Sequence, residues 1–506
     1  SSPPPPDRTT VTEEAARLVR QLVQPKEVPL PKGLRATLRP YQLTGYEWLL
    51  KNTRLGFGSL LADDMGLGKT LQVIATLLKF KEEGKLARDK ALVIVPTSLL
   101  TNWRKEVEKF APTLKAAVYH GQKRKLDVAD PDIIITTYGV VRSEGELLKK
   151  MGWYCTVVDE AQNIKNPAAE QAKAVKAIPA PVRIAMSGTP VENRLSEFWS
   201  ILDFTQRGFL GSPKQFNDTF ARPIQRDHDR EAAQVFKKIT APFLLRRLKS
   251  DRSIISDLPE KIENNQYASL TPEQAALYQN VVDTGMKAIY EASDDPEESG
   301  NKQGLVLKMI TALKQICNHP HQFLKKGDKY PHLSGKAQLL FSLLENIYDG
   351  GEKTLIFTQY QEMGELLAQF IAEQYGKEPL FLHGGTVRLR RDEMVEAFQN
   401  DPAADTFILS LKAGGTGLNL TAASNVIHYD LWWNPAVENQ ATDRAYRIGQ
   451  QRNVMVWRLI TQGTFEEKID EMIRRKKDLA NMTVATGERW IGDLSNEELS
   501  QLVRLG

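Results

Sequence analysis

Phe57-Gly58-Ser59-Leu60-Leu61-Ala62-Asp63-Asp64-Met65-Gly66-Leu67-Gly68-Lys69-Thr70 begins as a short apolar run and opens into a segment of helical period. A strand that turns sharply into a helix points bare backbone N–H groups and the positive helix end at one spot, where phosphates bind. Gly66 and Gly68 keep side chains out of that spot. Lys69 then reaches the β and γ phosphates of a nucleotide, and the Thr70 hydroxyl supplies a ligand to Mg²⁺. Asp64, Met65 and Leu67 complete the expected loop. Asp63 stands where the general phosphate-loop pattern has its first glycine. Taken alone, the stretch leaves room for a chance Gly-Lys-Thr after a strand.

The rhythm around the loop sets the architecture. Phe57 to Ala62, Ala91 to Val95, Ile133 to Thr136, Cys155 to Val158 and Arg183 to Met186 are short apolar runs between longer polar segments of helical period. Strands apolar on both faces with helical crossovers imply a parallel sheet covered on both sides. The pattern returns in Thr354 to Thr358, Pro379 to Leu382, Thr406 to Leu409, Asn425 to Tyr429 and Val454 to Leu459, so the chain reads as two α/β lobes. Residues 1–32 form a Pro-rich lead-in around a short helix from about Thr12 to Val23. The first lobe takes 33–250, with a helical insertion from about 192; a further helical insertion and linker takes 251–335 and the second lobe 336–462. A helical tail, 463–506, carries Phe465, Ile469, Met472 and Ile473 at helical spacing and packs back onto the lobes.

A second strand end supports the first. Val157-Val158-Asp159-Glu160-Ala161-Gln162 puts two carboxylates at the carboxyl end of a buried strand, where open parallel sheets bind ligands. Neighbouring buried carboxylates are costly unless a cation neutralises them. Mg²⁺ held by Asp159 and water activated by Glu160 account for both. The bland alternative is an acidic helix N-terminus, and it loses weight beside the loop at Lys69.

Composition bounds the rest. The 506 residues are 41% apolar and 26% charged, which excludes a disordered or fibrous chain. No window approaches about 18 uninterrupted apolar residues, and the start lacks a signal peptide's charged and apolar regions, so neither membrane insertion nor secretion is expected. Cys155 and Cys317 are too few for a disulfide scaffold and lack the paired spacing of a zinc site, which fits a reducing, intracellular setting. A net charge of +4 permits a polyanionic partner. Basic clusters at Lys123 to Lys125, Arg388 to Arg391 and Arg474 to Lys477 read equally as solvated faces or as contacts to it. The first residue is Ser, so a preceding or partner targeting module is expected.

Read in order with further motifs, these residues resemble helicase superfamily two, and within it the SWI/SNF family of DNA-translocating ATPases. Leu38-Arg39-Pro40-Tyr41-Gln42 resembles the adenine-reading segment; Val95 to Leu100 with Asn102-Trp103, then Thr136-Thr137-Tyr138, then Ser187-Gly188-Thr189-Pro190 follow in the family's order. Phe243-Leu244-Leu245-Arg246-Arg247, Leu258-Pro259 with Lys261, Ile316-Cys317-Asn318-His319-Pro320 and Ser334-Gly335-Lys336 follow the SWI/SNF insertion pattern, which ordinary helicases lack. Phe357-Thr358-Gln359, His383-Gly384-Gly385-Thr386 with Arg391, Ala413 to Leu420, Trp433-Asn434-Pro435 and Gln440 to Gln450 complete the set. The chain departs from the family at Asp64, Gln162 and Asp443, where Glu, His and Gly are usual.

The resemblance implies two RecA-like parallel-sheet lobes in tandem with SWI/SNF-type helical insertions, and it implies ATP and Mg²⁺ as cofactors. Lys69, Asp159, Glu160, Arg444 and Arg447 would be catalytic. Thr70 and Asp159 would hold the metal, and Arg39, Gln42, the loop Asp64 to Thr70, Gly415 and Gly417 would bind nucleotide. Arg444 and Arg447, three apart on a helix, share a face and can serve one phosphate, where a guanidinium stabilises leaving-group charge. Ser98, Thr137, Thr358, Arg391, Ala413, Gly414, Gly415 and Asn419 would line a track for double-stranded DNA held by its phosphates. Gln162, Ser187, Thr189, Trp433 and Gln440 would couple hydrolysis to movement. Ile316 to Pro320 reads as a packing motif rather than as a zinc site.

The leading expectation is an ATP-dependent double-stranded DNA translocase that displaces or remodels a DNA-bound protein. Its rivals are a strand-separating DNA or RNA helicase and a non-catalytic nucleic-acid scaffold. The compact insertions point to a prokaryotic member, cytoplasmic and nucleoid-associated; a eukaryotic one would be nuclear.

Overall fold

The computed structural model describes Arg17, Arg20 and residues 28–64, 67–121, 125–188, 195–248, 251, 261–293, 299–410, 418–446, 450–478 and 488–506. Apart from Arg17 and Arg20, the helix expected at Thr12 to Val23 lies outside them. The chain divides into two compact units, Ser1–Asp257 and Leu258–Gly506. Among the described residues no helix is long and apolar enough to cross a membrane.

The first unit is built on β1 (Ser59–Leu61), β2 (Lys90–Val95), β3 (Ala116–Tyr119), β4 (Ile133–Thr137), β5 (Trp153–Val158), β6 (Val182–Met186) and β7 (Leu244–Leu245), in the order β3-β4-β2-β5-β6-β1-β7. Every neighbouring pair is parallel. Parallel pairing needs a crossover between strands, supplied by helices such as Lys69–Glu82 and Leu100–Phe110. Alternation sends the strand residues into two cores. Leu61, Ala91, Val93 and Val95 lie in one; Leu60, Ala62, Leu92 and Ile94 lie in the other. Each buried Val, Leu or Ile among them contributes about 1.5–3 kcal/mol on burial, which is why apolar residues dominate these strands.

The second unit has β8 (Lys261–Ala268), β9 (Thr354–Phe357), β10 (Leu380–His383), β11 (Thr406–Ser410), β12 (Asn425–His428) and β13 (Val454–Thr461), all parallel, ordered β10-β11-β9-β12-β13-β8. A separate apolar cluster joins the helices Pro272–Ser293 and Ser299–Asn318 to Phe465–Asp478 and the closing helix Asn496–Val503. Phe465 and Ile469 are fully buried there.

Three strands were not anticipated: β3, β7 and β8. β8 runs through residues assigned from sequence to a helical insertion and linker, yet it pairs with β13 without a break from Lys261 opposite Val454 to Ala268 opposite Thr461. It is an edge strand whose residues, Lys-Ile-Glu-Asn-Asn-Gln-Tyr-Ala, show no apolar alternation; its main chain, not its side chains, carries the pairing. β7 is two residues long, too short to leave a periodic signal.

Candidate nucleotide site

β5, β6, β1 and β7 lie side by side in the first sheet and run the same way. Whatever follows their carboxyl ends therefore shares one edge: Asp159 and Glu160 after β5, Ser187 after β6, the phosphate loop after β1, and Arg246 and Arg247 after β7.

The loop enters the helix Lys69–Glu82 through Gly68, whose φ of 83° and ψ of 41° are left-handed, a region open to glycine without strain. A Cβ there would sit 2.4 Å from Gln42 Nε2. Gln42 is buried; its amide donates to the Leu67 carbonyl (3.2 Å) and accepts from the Arg39 N–H (2.9 Å), capping the helix Pro40–Arg54. The Tyr41 hydroxyl donates to the same Leu67 carbonyl at 2.7 Å. The Lys69 ammonium donates to the carbonyls of Asp63 (2.7 Å) and Asp64 (3.3 Å). Burial pushes its pKa down while the carboxylates of Asp63, Glu160, Asp159 and Asp64 oppose that shift. Thr70 is half-buried on the first helical turn. Met65 and Gly66 lie outside the described residues.

Asp159 is 6% exposed. Its Oδ1 accepts from the Glu160 N–H at 2.7 Å and its Oδ2 from the Trp103 indole at 2.8 Å. Burial raises its pKa, and the Trp103 and Glu160 hydrogen bonds and the Lys69 charge hold it back. Glu160 has φ 51° and ψ 57°, a strained conformation for a non-glycine residue, costing about 1–3 kcal/mol. The Tyr138 hydroxyl pins it, donating to the carbonyls of Asp159 (2.6 Å) and Glu160 (3.4 Å). Gln162 donates to Glu160 Oε2 at 2.5 Å and accepts from the Ser187 hydroxyl at 3.3 Å. The amide thus joins the acid after β5 to the hydroxyl after β6. Thr189 lies outside the described residues. Glu106, on the helix that carries Trp103, has its carboxyl pushed up to about 7 by burial and by the Asp159 charge.

Among the described residues no three His, Cys, Asp or Glu side chains cluster as a metal site. The oxygens of Asp159 and Thr70 suit Mg²⁺, which takes one or two protein ligands alongside phosphate oxygens. Each Asp159 oxygen accepts a hydrogen bond and has a second lone pair to offer a cation. A dication there would also lower the cost of the buried carboxylate.

In the second unit, Trp433 is buried with φ 53°. Its ring lies 3.9 Å from the Lys314 ammonium and edge-on to Phe465 at 5.5 Å between centroids. Trp433 leads into the helix Pro435–Thr442, on which Gln440 is exposed. Arg444 follows, half-buried, and its carbonyl accepts from Leu420 N–H at 2.9 Å. Asn419, next to Leu420, is exposed, and Arg391 is half-buried on the helix Arg388–Asn400. Arg447, Ala413, Gly414, Gly415 and Gly417 lie outside the described residues.

Two residues expected along the DNA track have their hydroxyls engaged inside the fold. Thr358 is fully buried and its hydroxyl donates to Asp430 Oδ2 at 2.5 Å. Asp430 is also bound by Asn318 (3.0 Å) and by the Gln359 N–H (2.8 Å). Thr137 is 3% exposed and its hydroxyl oxygen caps the helix Tyr138–Lys149 by accepting from the Val140 N–H at 3.3 Å. Both hydroxyls serve the fold. Ser98 stays half-buried in the turn Thr97–Leu99.

Residues 41–322 match the SNF2-related domain and residues 335–449 the helicase conserved C-terminal domain. The chain belongs to the SNF2 family. It is 44% identical to the Sulfolobus solfataricus SWI2/SNF2 ATPase core solved in complex with dsDNA, with a TM-score of 0.80, covering 95% of this chain and 100% of that one. It is 43% identical to the putative ATP-dependent helicase/translocase YwqA of Bacillus subtilis over 98% of this chain and 54% of that protein. The TATA-binding protein-associated factor MOT1 of Saccharomyces cerevisiae is 32% identical over 98% of this chain and 30% of its own length. The chain thus spans about half, or less, of these curated relatives.

Within this SNF2 chain, Trp103 and Arg247 are functional partners that their sequence motifs alone do not reveal. Trp103 reaches Asp159 across 56 positions and Arg247 reaches Asp63 across 184. The available signal was Asp63 itself, because a carboxylate in a buried loop requires a partner. His319, weighed against a zinc ligand, accepts from the His321 N–H at 2.9 Å and lies 2.8 Å from the Tyr330 carbonyl, which engages both ring nitrogens in the fold.

Proposed function

We propose that this SNF2-family chain is a DNA-stimulated ATPase that moves along double-stranded DNA and displaces or remodels proteins bound to it. The observation that carries the reading is a pair of bonded groups on one sheet edge, Lys69 on the Asp63 carbonyl and the run Asp159, Glu160, Gln162 and Ser187, with the Lys69 charge felt by both Asp159 and Glu160. Lys69 exchanges its main-chain carbonyls for phosphate oxygens, Glu160 orients and deprotonates the attacking water, and Asp159 with Thr70 would hold Mg²⁺. Mg²⁺, when bound, neutralises developing charge on the phosphate oxygens. Arg444 and Arg447 supply the guanidinium charge that stabilises the transition state. Gln162 carries the state of Glu160 to Ser187. Support for duplex DNA comes from the Sulfolobus core solved in complex with it, and support for a protein target from a relative named for the TATA-binding protein.

The test is phosphate release with and without nucleic acid. Duplex DNA raises turnover strongly, and Lys69→Ala or Glu160→Gln abolishes it. Equal stimulation by single strands, with unwinding of a forked duplex that bears no protein block, would make the chain a strand-separating helicase. No release under any condition would make it a scaffold.

A further inference from the structure

Asp63 is wholly buried and Arg247 is 4% exposed, and together they form the most completely satisfied ion pair at the nucleotide edge. The Arg247 N–H and Nε donate to Asp63 Oδ1 at 2.9 and 3.0 Å, and Nη2 donates to Oδ2 at 2.6 Å. Nη2 also donates to Gln72 Oε1 (2.9 Å), and Nη1 to the Tyr41 carbonyl. The guanidinium lies over the Tyr41 ring, 5.3 Å from its centroid. The Asp64 N–H closes the circuit on the Arg247 carbonyl at 3.0 Å. One side chain therefore ties β7 to the phosphate loop, to the helix after it and to the segment that carries Gln42. The fit is tight: a Cβ on Gly45 would lie 1.8 Å from Gln72 Oε1 and 2.8 Å from Arg247 Nη2.

The departure of Asp63 from the usual glycine acquires a reason here, because its side chain is spent on Arg247 and its carbonyl on Lys69 (2.7 Å). We propose that Arg247 is a positioning residue for the nucleotide: through Asp63 it sets the phosphate loop, and through Tyr41 it sets the corner from which Gln42 reads the base. The proposal rests on the ATP-using reading above. A guanidinium fork fits this double duty and an ammonium does not.

Purified chains bearing Asp63→Asn, Arg247→Lys, Arg247→Gln and the double change Asp63→Asn with Arg247→Gln test it. The readouts are binding of a fluorescent ADP analogue and steady-state kinetics with ATP and GTP. Arg247→Lys raises the ATP KM by about tenfold, more than it lowers kcat, and erodes the preference for ATP over GTP by a similar factor. The double variant lies nearer wild type than the product of the single losses, since it leaves no lone buried charge. Folded variants with wild-type KM and base preference, however much their Tm falls, would reduce the pair to structure and overturn the proposal; so would strictly multiplicative losses. If Arg247 variants fail to fold, the near-isosteric Asp63→Asn decides alone by the same KM and ADP-analogue readouts. Failure of the functional reading would show instead in the wild type, as absent turnover.

Discussion

At the scale of single residues, the acid pair is held by groups that do no chemistry. Trp103 occupies one lone pair of Asp159 and so fixes the rotation of that carboxylate. Trp103→Phe keeps the apolar volume and removes the donor. It is expected to raise the Mg²⁺ concentration for half-maximal ATPase by about ten- to a hundredfold, the range set by one hydrogen bond to a charged group; titration of Mg²⁺ at saturating ATP measures it. Lys336 and Glu466 form a second fully buried pair, 2.8 Å apart and at most 2% exposed. Here the effect is on stability. Lys336→Met strands a buried carboxylate and costs about 3–5 kcal/mol, whereas the added Glu466→Gln recovers part of that loss; denaturant melts of the singles and the double check the sign.

At the scale of elements, the main-chain ladder explains most of what was legible. Strands such as β2 and β5 are largely apolar on both faces, so their positions stood out as runs; the nine central strands and the edge strand β10 were legible to within a residue or two. Edge strands are freed from that demand on one side, and β3 and β8 accordingly looked like loops. The closing helix Asn496–Val503 makes the opposite point: it is short, yet Leu499, Leu502 and Val503 are buried in the cluster that joins the insertion helices to Phe465–Asp478. Removing residues 496–506 exposes that cluster and costs roughly 5–9 kcal/mol at about 1.5–3 kcal/mol for each of the three side chains. A lowered Tm and dye binding to the exposed apolar surface are the expected readouts.

At the scale of the whole molecule, stability responds to pH through a buried histidine. His428 is 1% exposed, stacked on Phe357, hydrogen-bonded to Thr442 and flanked by Glu438 and Arg458; burial first, with Arg458, lowers its pKa to about 4, against the pull of Glu438. Unfolded, it protonates near 6.5; folded, only near 4. The unfolded state therefore binds more protons between those values, and stability present above pH 6.5 is lost as the pH falls toward 4, by roughly 3 kcal/mol. His428→Gln flattens that limb in melts recorded across the range. Glu106, raised to about 7, acts in the opposite sense: its contribution weakens as pH rises from 4.5 to 7.

The order of apolar runs, the phosphate loop and the paired acids were sufficient to read a two-lobed parallel α/β chain and to point to ATP chemistry, because periodicity and short motifs are properties of neighbours along the backbone. Partnership across the fold was not contained in them. That Asp63 belongs to Arg247 and Thr358 to Asp430 follows from which strand ends come to lie side by side, and that Asp159 belongs to Trp103 from the helix Leu100–Phe110 that follows the neighbouring strand β2. Desolvation makes those pairings obligatory, since each buried polar group must find whatever donor or acceptor the folded chain brings within hydrogen-bonding distance.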